Sequence, residues 1–349
     1  MNLLHIINTM KFPTKVLSLL CITTSLISCE GIYDYEGDCS KSYDVGIKFT
    51  RNILEANAFS NKVTSISVLV YNTAGELVYY DKEAGDPLKN DNYYMPIDVK
   101  PGTYDIVVWG GLENSNSFLL NNGYIPATLS EASCHLQREE IEGEHYSRSP
   151  LSPLFHGIAR GVVIQDNEEI GHIRVADIDL TKDTNNIKVI LTHNNEETIN
   201  PDDYSFSVAD ANGRLNFDNS LLEDKEILYH AHTKYELPTV DIEEKATRSA
   251  VNVTNSMMAE IDMSRLMADR NPRLQIHRTD NDEPIVDLPL TQLLLHAKGE
   301  ARSSMSNQEY LDRQDEFTLV FFLGDDNGWN MSAGIYINGW HMSFQYSDI

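Results

Sequence analysis

The sequence predicts an all-β protein made of two tandem antiparallel β-sandwich domains. Short runs of β-branched and aromatic residues recur along most of the chain, and turn dipeptides separate them. Helical periodicity is nearly absent. The length, 349 residues, is enough for two domains with cores of their own.

The elements follow in order. Val63–Tyr71 is a β-branched run ending at the turn Asn72-Thr73-Ala74-Gly75, and Glu76–Tyr80 returns as its partner. Pro101-Gly102 makes the next reversal, and Thr103–Trp109 follows as an apolar strand closed by Gly110-Gly111. Further strands are expected at Gly157–Gln165, Ile173–Leu180, Asn186–Thr192 and Tyr204–Ala209. Asn212-Gly213 has the composition of a type I′ hairpin turn between Phe206–Val208 and Leu215–Phe217. Met258–Met263, Leu274–His277, Phe317–Leu323 and Gly334–Trp340 complete the set. Two helices are expected, a polar one at Ser133–Tyr146 and a short apolar one at Leu290–Lys298. Residues 112–150 and 240–257, rich in Asn, Ser, Glu and Thr, read as long loops. Spacing of this kind indicates antiparallel sandwiches rather than βαβ units. The domain boundary falls near Gly171, giving sandwiches at 43–170 and 171–349.

The N-terminus carries a separate signal. Val16–Ile27 is apolar and uncharged, too short to span a bilayer, and is preceded by Lys11 and Lys15. Leu26-Ile27-Ser28-Cys29 then reads as a bacterial lipobox, with apolar residues, a small residue and the cysteine to be acylated. A thiol is needed there because the lipid joins through a thioether before the peptidase cuts ahead of it. Residues 1–28 are therefore expected to be a lipoprotein signal peptide and Cys29 the lipidation site. Met10-Lys11-Phe12 opens a more conventional signal, so translation starts at either Met1 or Met10. Several acyl chains hold a protein on a membrane where one does so only marginally. No later apolar run approaches transmembrane length, so the lipid is the expected anchor to the outer membrane.

Residues 29–42 form an acidic, lipid-proximal tether containing Glu30, Asp34, Glu36 and Asp38. Two uses fit it: a solvated linker, or an acidic signal for export to the outer face of the outer membrane. The formal charge of the whole chain is −26. Such a balance excludes a phosphate-backbone binder, so no nucleic-acid partner is expected. Of four cysteines, Cys21 leaves with the signal and Cys29 is acylated, which leaves Cys39 and Cys134. Outside the cytoplasm these two form either a disulfide or a pair of buried thiols. A bridge would contribute about 4 kcal/mol in the chain-entropy model.

Catalytic signatures are missing. There is no Gly-x-Ser-x-Gly elbow, no His-Glu-x-x-His pair and no phosphate-cradling Gly-Lys-Ser loop. His230-Ala231-His232 would put two imidazoles on one strand face, but no third ligand is near in sequence, so an exposed pair is expected. Asp177-Ile178-Asp179 and Asp325-Asp326-Asn327-Gly328 lack calcium-loop spacing and read as a solvated strand end and a hairpin turn. No metal, cofactor or catalytic residue is expected.

Several segments taken together resemble a known family. They are Val99–Tyr104 running into Val107–Leu112, Leu154-Phe155-His156-Gly157, Asp179–Val189, Gln308–Phe317 and Ile335–Trp340. In this order, behind a lipobox, they are similar to the FimB-type fimbrillin-associated anchor lipoproteins. The resemblance implies transthyretin-like topology for both sandwiches. It also implies attachment of fimbrial shaft subunits to the outer membrane, with a limit on fimbrial length. Pro101-Gly102 is expected as a turn, Trp109 and Trp340 as core-filling side chains, and Gly110-Gly111 as a tight bend. Gln308–Glu316 is expected to set a loop or a domain junction. A shaft or tip subunit of the same fold is one alternative, and a surface glycan-binding lipoprotein is another. Beyond Trp340, Met342, Phe344 and Tyr346 alternate with polar residues. That tail is either the last strand of its own sandwich or a donor strand for a neighbour.

Overall fold

The computed structural model describes residues 41–113, 115–166, 171–193, 198–237, 240–243, 250–253 and 255–343, with backbone alone at 240–243 and 250–253. The signal peptide, Cys29, the acidic residues of the tether, Cys39, Phe344 and Tyr346 therefore lie outside the described residues. The chain divides into a small unit, 1–42 with 168–173, and a large one, 43–167 with 174–349.

Most expected strands form, often with longer ends. β1 (Lys41–Lys48) opens the described chain, followed by β2 (Ser65–Asn72) and β3 (Leu77–Ala84). β4 (Tyr94–Ile97) and β5 (Gly102–Gly110) come next. β2 is buried at every position but its last because it runs between β3 and β5. A sheet interior with both faces covered reads as a continuous apolar run rather than an alternation.

Residues 112–150 depart from expectation. They carry four short strands, β6 (Phe118–Leu120), β7 (Cys134–Leu136), β8 (Glu139–Ile141) and β9 (Glu144–Ser147). The expected polar helix at Ser133–Tyr146 is therefore corrected to strands. The reason is tertiary: β7 pairs with β15 (Arg214–Leu215), and β9 runs parallel to β16 (Ile227–His230). Their edges are satisfied by strands some eighty residues away, which no local pattern reveals.

Between these come β10 (Phe155–Ile164), β11 (Gly171–Asp179), β12 (Thr181–Lys182), β13 (Thr184–His193) and β14 (Tyr204–Asp210). β17 (Thr233–Leu237), β18 (Val240–Glu243), β19 (Ala250–Val253) and β20 (Ser256–Ser264) follow β16. The loop expected at 240–257 thus contains a paired β18–β19 ladder. β21 (Arg273–Arg278), β22 (Pro284–Pro289), β23 (Glu316–Leu323), β24 (Ile335–Ile337) and β25 (Trp340–Met342) complete the series.

The strands assemble as β12-β10-β5-β2-β3, β11-β1-β4, β17-β20-β13-β23-β24-β25, β22-β21-β14-β16-β9-β8, β15-β7-β6 and β18-β19. Pairing is antiparallel in most ladders, but β13–β23 and β16–β9 are parallel. One apolar core runs from Leu69, Val107 and Trp109 through Ile187, Phe206 and Ile261 to Phe317 and Ile337.

Helices are short: α1 (Phe59–Lys62), α2 (Leu290–His296) and α3 (Asn307–Arg313). α2 is the apolar helix expected, with Leu290, Leu293 and Leu294 buried. α3 covers most of Gln308–Glu316, the stretch expected as a loop or a domain junction, so a helix stands there in place of a loop. Its N-terminus is capped by Ser306, whose Oγ accepts from the Glu309 amide at 3.0 Å.

The two tryptophans part company. Trp109 is fully buried, and its Nε1 donates to the Ala132 carbonyl at 3.1 Å. Trp340 is 45% exposed, which corrects the core-filling expectation. Asn338 and Gly339 both have positive φ, 49° and 83°, and join β24 to β25 as a two-residue hairpin. The single strand expected at Gly334–Trp340 is folded back on itself, which leaves Trp340 at a sheet edge.

Candidate functional site

Three of the segments that carry the family resemblance meet in the large unit: Leu154–Gly157, Asp179–Val189 and the stretch around α3. Arg265, at the end of β20, lies among them and is only 9% exposed. Its Nε and Nη2 donate to the two carboxylate oxygens of Asp312 on α3, each at 2.8 Å. Its Nη1 donates to the Asn219 carbonyl. The planar guanidinium suits such a forked contact, which a lysine could not make.

Asp183, between β12 and β13, is fully buried and lies 3.7 Å from Arg265. It accepts from Asn219 Nδ2 at 2.9 Å, while its Oδ2 has no hydrogen-bond partner. Burial pushes its carboxyl up to about 7, against the pull of Arg265 and Asn219. One cation thus faces two carboxylates in a site of low dielectric.

α3 ties this centre to the rest. Gln308 Nε2 donates to the Leu266 carbonyl at 3.0 Å and to Asp312 at 2.8 Å, and Gln308 Oε1 accepts from the Ala268 amide. Arg313 Nη1 donates to the Thr50 carbonyl at 3.2 Å. Thr50 in turn bonds Asp179 through its amide, at 2.8 Å, and its hydroxyl, at 2.5 Å. Lys182 Nζ meets Asp315 at 2.5 Å. Asp179 is therefore an acceptor for Thr50 rather than the solvated strand end expected.

His156 completes the arrangement. Burial drives its imidazole down to about 4, so the ring is neutral. Its Nε2 contacts the Phe217 carbonyl at 2.8 Å and must carry the proton, since a carbonyl only accepts. The ring lies 4.6 Å from that of Trp109. Two clefts flank the network and share Arg51 at their walls. One, of about 320 Å³, is bounded by Ser306, Gln308, Glu309, Asp312 and Arg313. The other, of about 370 Å³, is bounded by His156, Asp179, Asp218, Asn219 and Arg265.

Most charged groups here are paired with charged or polar protein groups, so the network acts as a clamp between distant parts of the chain. Arg265, Asn219 and Arg51 were not legible as site residues. The only signal was an arginine directly after an apolar strand, Met263-Ser264-Arg265-Leu266.

The other singled-out residues do not converge. His230 stacks on Tyr146 with ring centroids 5.9 Å apart. His232 Nε2 lies 3.5 Å from Asp262, and its side chain is 8% exposed, which corrects the exposed pair expected. Among the described residues no group of three or more His, Cys, Asp or Glu could hold a metal ion. Asp325–Gly328 forms the expected turn, with Gly324 N bonded to the Gly328 carbonyl at 2.8 Å. Cys134 is a buried thiol whose titration burial pushes well up, and Cys39 lies outside the described residues. Ser133 Oγ, His135 Nε2 and His135 Nδ1 with Asn122 Oδ1 form a row at 3.0 and 2.9 Å. Ser133 and His135 are two apart along an extended backbone, so this is a same-face pair that ties the Asn121–Gly123 turn to β7.

Solved structures share the fold. A candidate adhesin of Bacteroides thetaiotaomicron is 27% identical, with a TM-score of 0.73 over 88% of this chain and 99% of that one. A protein of the same species described as polysaccharide-binding is 24% identical, with a TM-score of 0.71 over 89% and 100%. The fimbrial anchor protein Mfa2 from Porphyromonas gingivalis is 16% identical, with a TM-score of 0.61 over 88% and 100%. The last two likenesses bear on the fold alone. No curated protein matches the chain significantly. The family described as fimbrillin-A associated anchor proteins Mfa1 and Mfa2 matches residues 35–346, a stretch that contains the whole clamp around Arg265. The chain therefore belongs to the fimbrillin-A associated anchor protein family.

Proposed function

We propose that the protein is a non-catalytic anchor that holds the base of a fimbrium on the outer membrane through a lipid on Cys29. The observation that carries this reading is positional. The family match begins at residue 35, six residues after the lipobox cysteine, and runs almost to the end of the sequence. The lipid end and the fimbrial body are thus joined by a short acidic tether, residues 29–42, with no room for another domain between them. On this reading the partners are fimbrial shaft subunits, which the anchor assembles and whose number it limits. Cys39 and Cys134 are proposed to bridge once exported, which would fix the tether to β7.

Cys29→Ala tests the membrane attachment. The variant should leave the membrane fraction, because no helix among the described residues is long and apolar enough to cross a bilayer. Retention equal to wild type would sink the lipid-anchor reading. Binding of purified shaft protein to the released variant tests the fimbrial half separately.

A further inference from the structure

Where β8 and β9 part, the fold holds open a polar cleft of about 430 Å³. The two strands pair from Ile141–Glu144 to Glu139–Tyr146, and beyond that end their chains diverge. Ser117 fixes both branches. Its carbonyl accepts from the Gln137 amide at 2.7 Å, and its Oγ accepts from the Ser152 amide at 2.8 Å. The Leu151 amide is held by Asp262 at 2.9 Å. The walls are thus set by hydrogen bonds within the fold, as in a preformed ligand site, and the volume falls in the range of about 300–1,000 Å³ usual for one.

The lining carries polar groups that the fold leaves unused. Ser147 is 6% exposed, and its hydroxyl bonds to nothing among the described residues. Ser117 is 5% exposed, and its Oγ accepts a bond while its proton is left to donate. The carboxamides of Asn116 and Gln137 stand exposed in the wall, also without protein partners among the described residues. A buried hydroxyl costs free energy unless water or a ligand meets it. The charges, by contrast, are already matched. Arg138 makes a forked contact with Asp224, both bonds at 2.7 Å, and Arg148 meets Glu139 at 3.0 Å. The Tyr146 ring is engaged as well, by Arg148 at 4.2 Å and by His230 at 5.9 Å.

We propose that this cleft binds a neutral sugar unit of a glycan chain through Asn116, Ser117, Gln137 and Ser147. Hydroxyls and carboxamides both donate and accept, and a ligand dense in hydroxyls answers both. The matched charges in the walls offer an acidic or basic ligand no counter-ion. A peptide strand finds no free edge there, since the amides of Gln137, Leu151 and Ser152 are already bonded. Among the lining residues only Pro150, Leu151 and the engaged Tyr146 ring are apolar, so a large apolar side chain finds no anchor. This inference holds whether or not the protein is lipidated or anchors a fimbrium.

An array of neutral oligosaccharides probed with the full chain, followed by calorimetry on the best binder, tests it. At least one neutral glycan should bind with a Kd below about 1 mM. Replacing both carboxamides, Asn116→Ala with Gln137→Ala, should weaken that binding by about ten-fold or more. Both side chains are exposed, so the melting temperature should not move. Ser147→Ala, which keeps the backbone and removes only the buried hydroxyl, should weaken binding in the same direction. No binding to any neutral glycan, or binding that the double variant leaves unchanged, would overturn the site. Binding of acidic glycans alone would overturn the ligand class. So would capture of a peptide, on a parallel peptide array, that depends on the same two carboxamides. Glycan binding retained by a chain that fails to bind shaft protein supports the cleft and strikes only the anchoring reading.

Discussion

Asn212-Gly213 and Asn338-Gly339 are the same dipeptide put to opposite uses. At 338–339 both residues have positive φ and join paired strands, as a primed hairpin turn requires. At 212–213 neither φ is positive and no hairpin forms. Asn212 is instead fully buried, donating to the carbonyls of Ser264 and Arg265 at 3.1 Å and accepting from the Tyr229 hydroxyl at 2.6 Å. A turn propensity is a local preference, and several buried hydrogen bonds outweigh it. The second site is also continuous with the buried clamp, since Asn212 grips the carbonyl of Arg265 itself.

The contrast between a buried polar centre and an edge hairpin can be broken most directly at Arg265. Arg265→Met should destabilise the protein by about 3–5 kcal/mol, because Asp183 and Asp312 are left buried without their cation. A loss under about 1 kcal/mol in chemical denaturation would show that the clamp is wetter than its burial indicates.

The tryptophans sharpen the same comparison. Trp109→Ala should cost about 3–5 kcal/mol, as expected for a fully enclosed indole. Trp340→Ala, at the hairpin edge, should stay within about 0.5 kcal/mol. Equal effects on melting would erase the distinction between core and edge.

Glycine at each asparagine gives a smaller difference. Asn212→Gly removes the three buried hydrogen bonds and should cost about 3 kcal/mol. Asn338→Gly keeps the positive φ and loses the bond from the Thr318 amide, at 2.8 Å, for about 1 kcal/mol. If the second cost matched the first, the hairpin would be as dependent on tertiary bonds as the buried site.

The smallest effect is a slope with pH. Asp183 holds its proton in the folded state to about 7, whereas the unfolded carboxyl releases it near the usual value of about 4. The folded state binds more protons between those values, so stability falls as pH rises through that window. Asp183→Asn should flatten this part of the denaturation profile while the Asp210 contribution, also pushed up by burial, remains. An unchanged slope would remove Asp183 as its source.

Much of the architecture was legible along the chain. Val63–Tyr71, Thr103–Trp109, Asn186–Thr192 and Phe317–Leu323 carry enough β-branched and aromatic residues to declare strands by themselves, and each is a strand in the fold. The short apolar helix expected at Leu290–Lys298 forms at Leu290–His296. The turn at Asn338-Gly339 was not legible: it lay inside the expected strand Gly334–Trp340, and the same dipeptide at 212–213 makes no turn.

What the sequence by itself determined, then, is the set of segments whose preferences are satisfied within a few residues: the strong strands and the apolar helix. Only the tertiary structure decided the rest. β7 and β9 are strands because β15 and β16 supply their missing hydrogen bonds. Arg265 is a clamp because Asp312 and Asn219, each some forty-six residues away, converge on it. Asn212 is a buried bridge because Tyr229 and the end of β20 meet it there. In each case the deciding partner is distant in sequence, and a buried polar group takes whatever conformation lets that partner satisfy it.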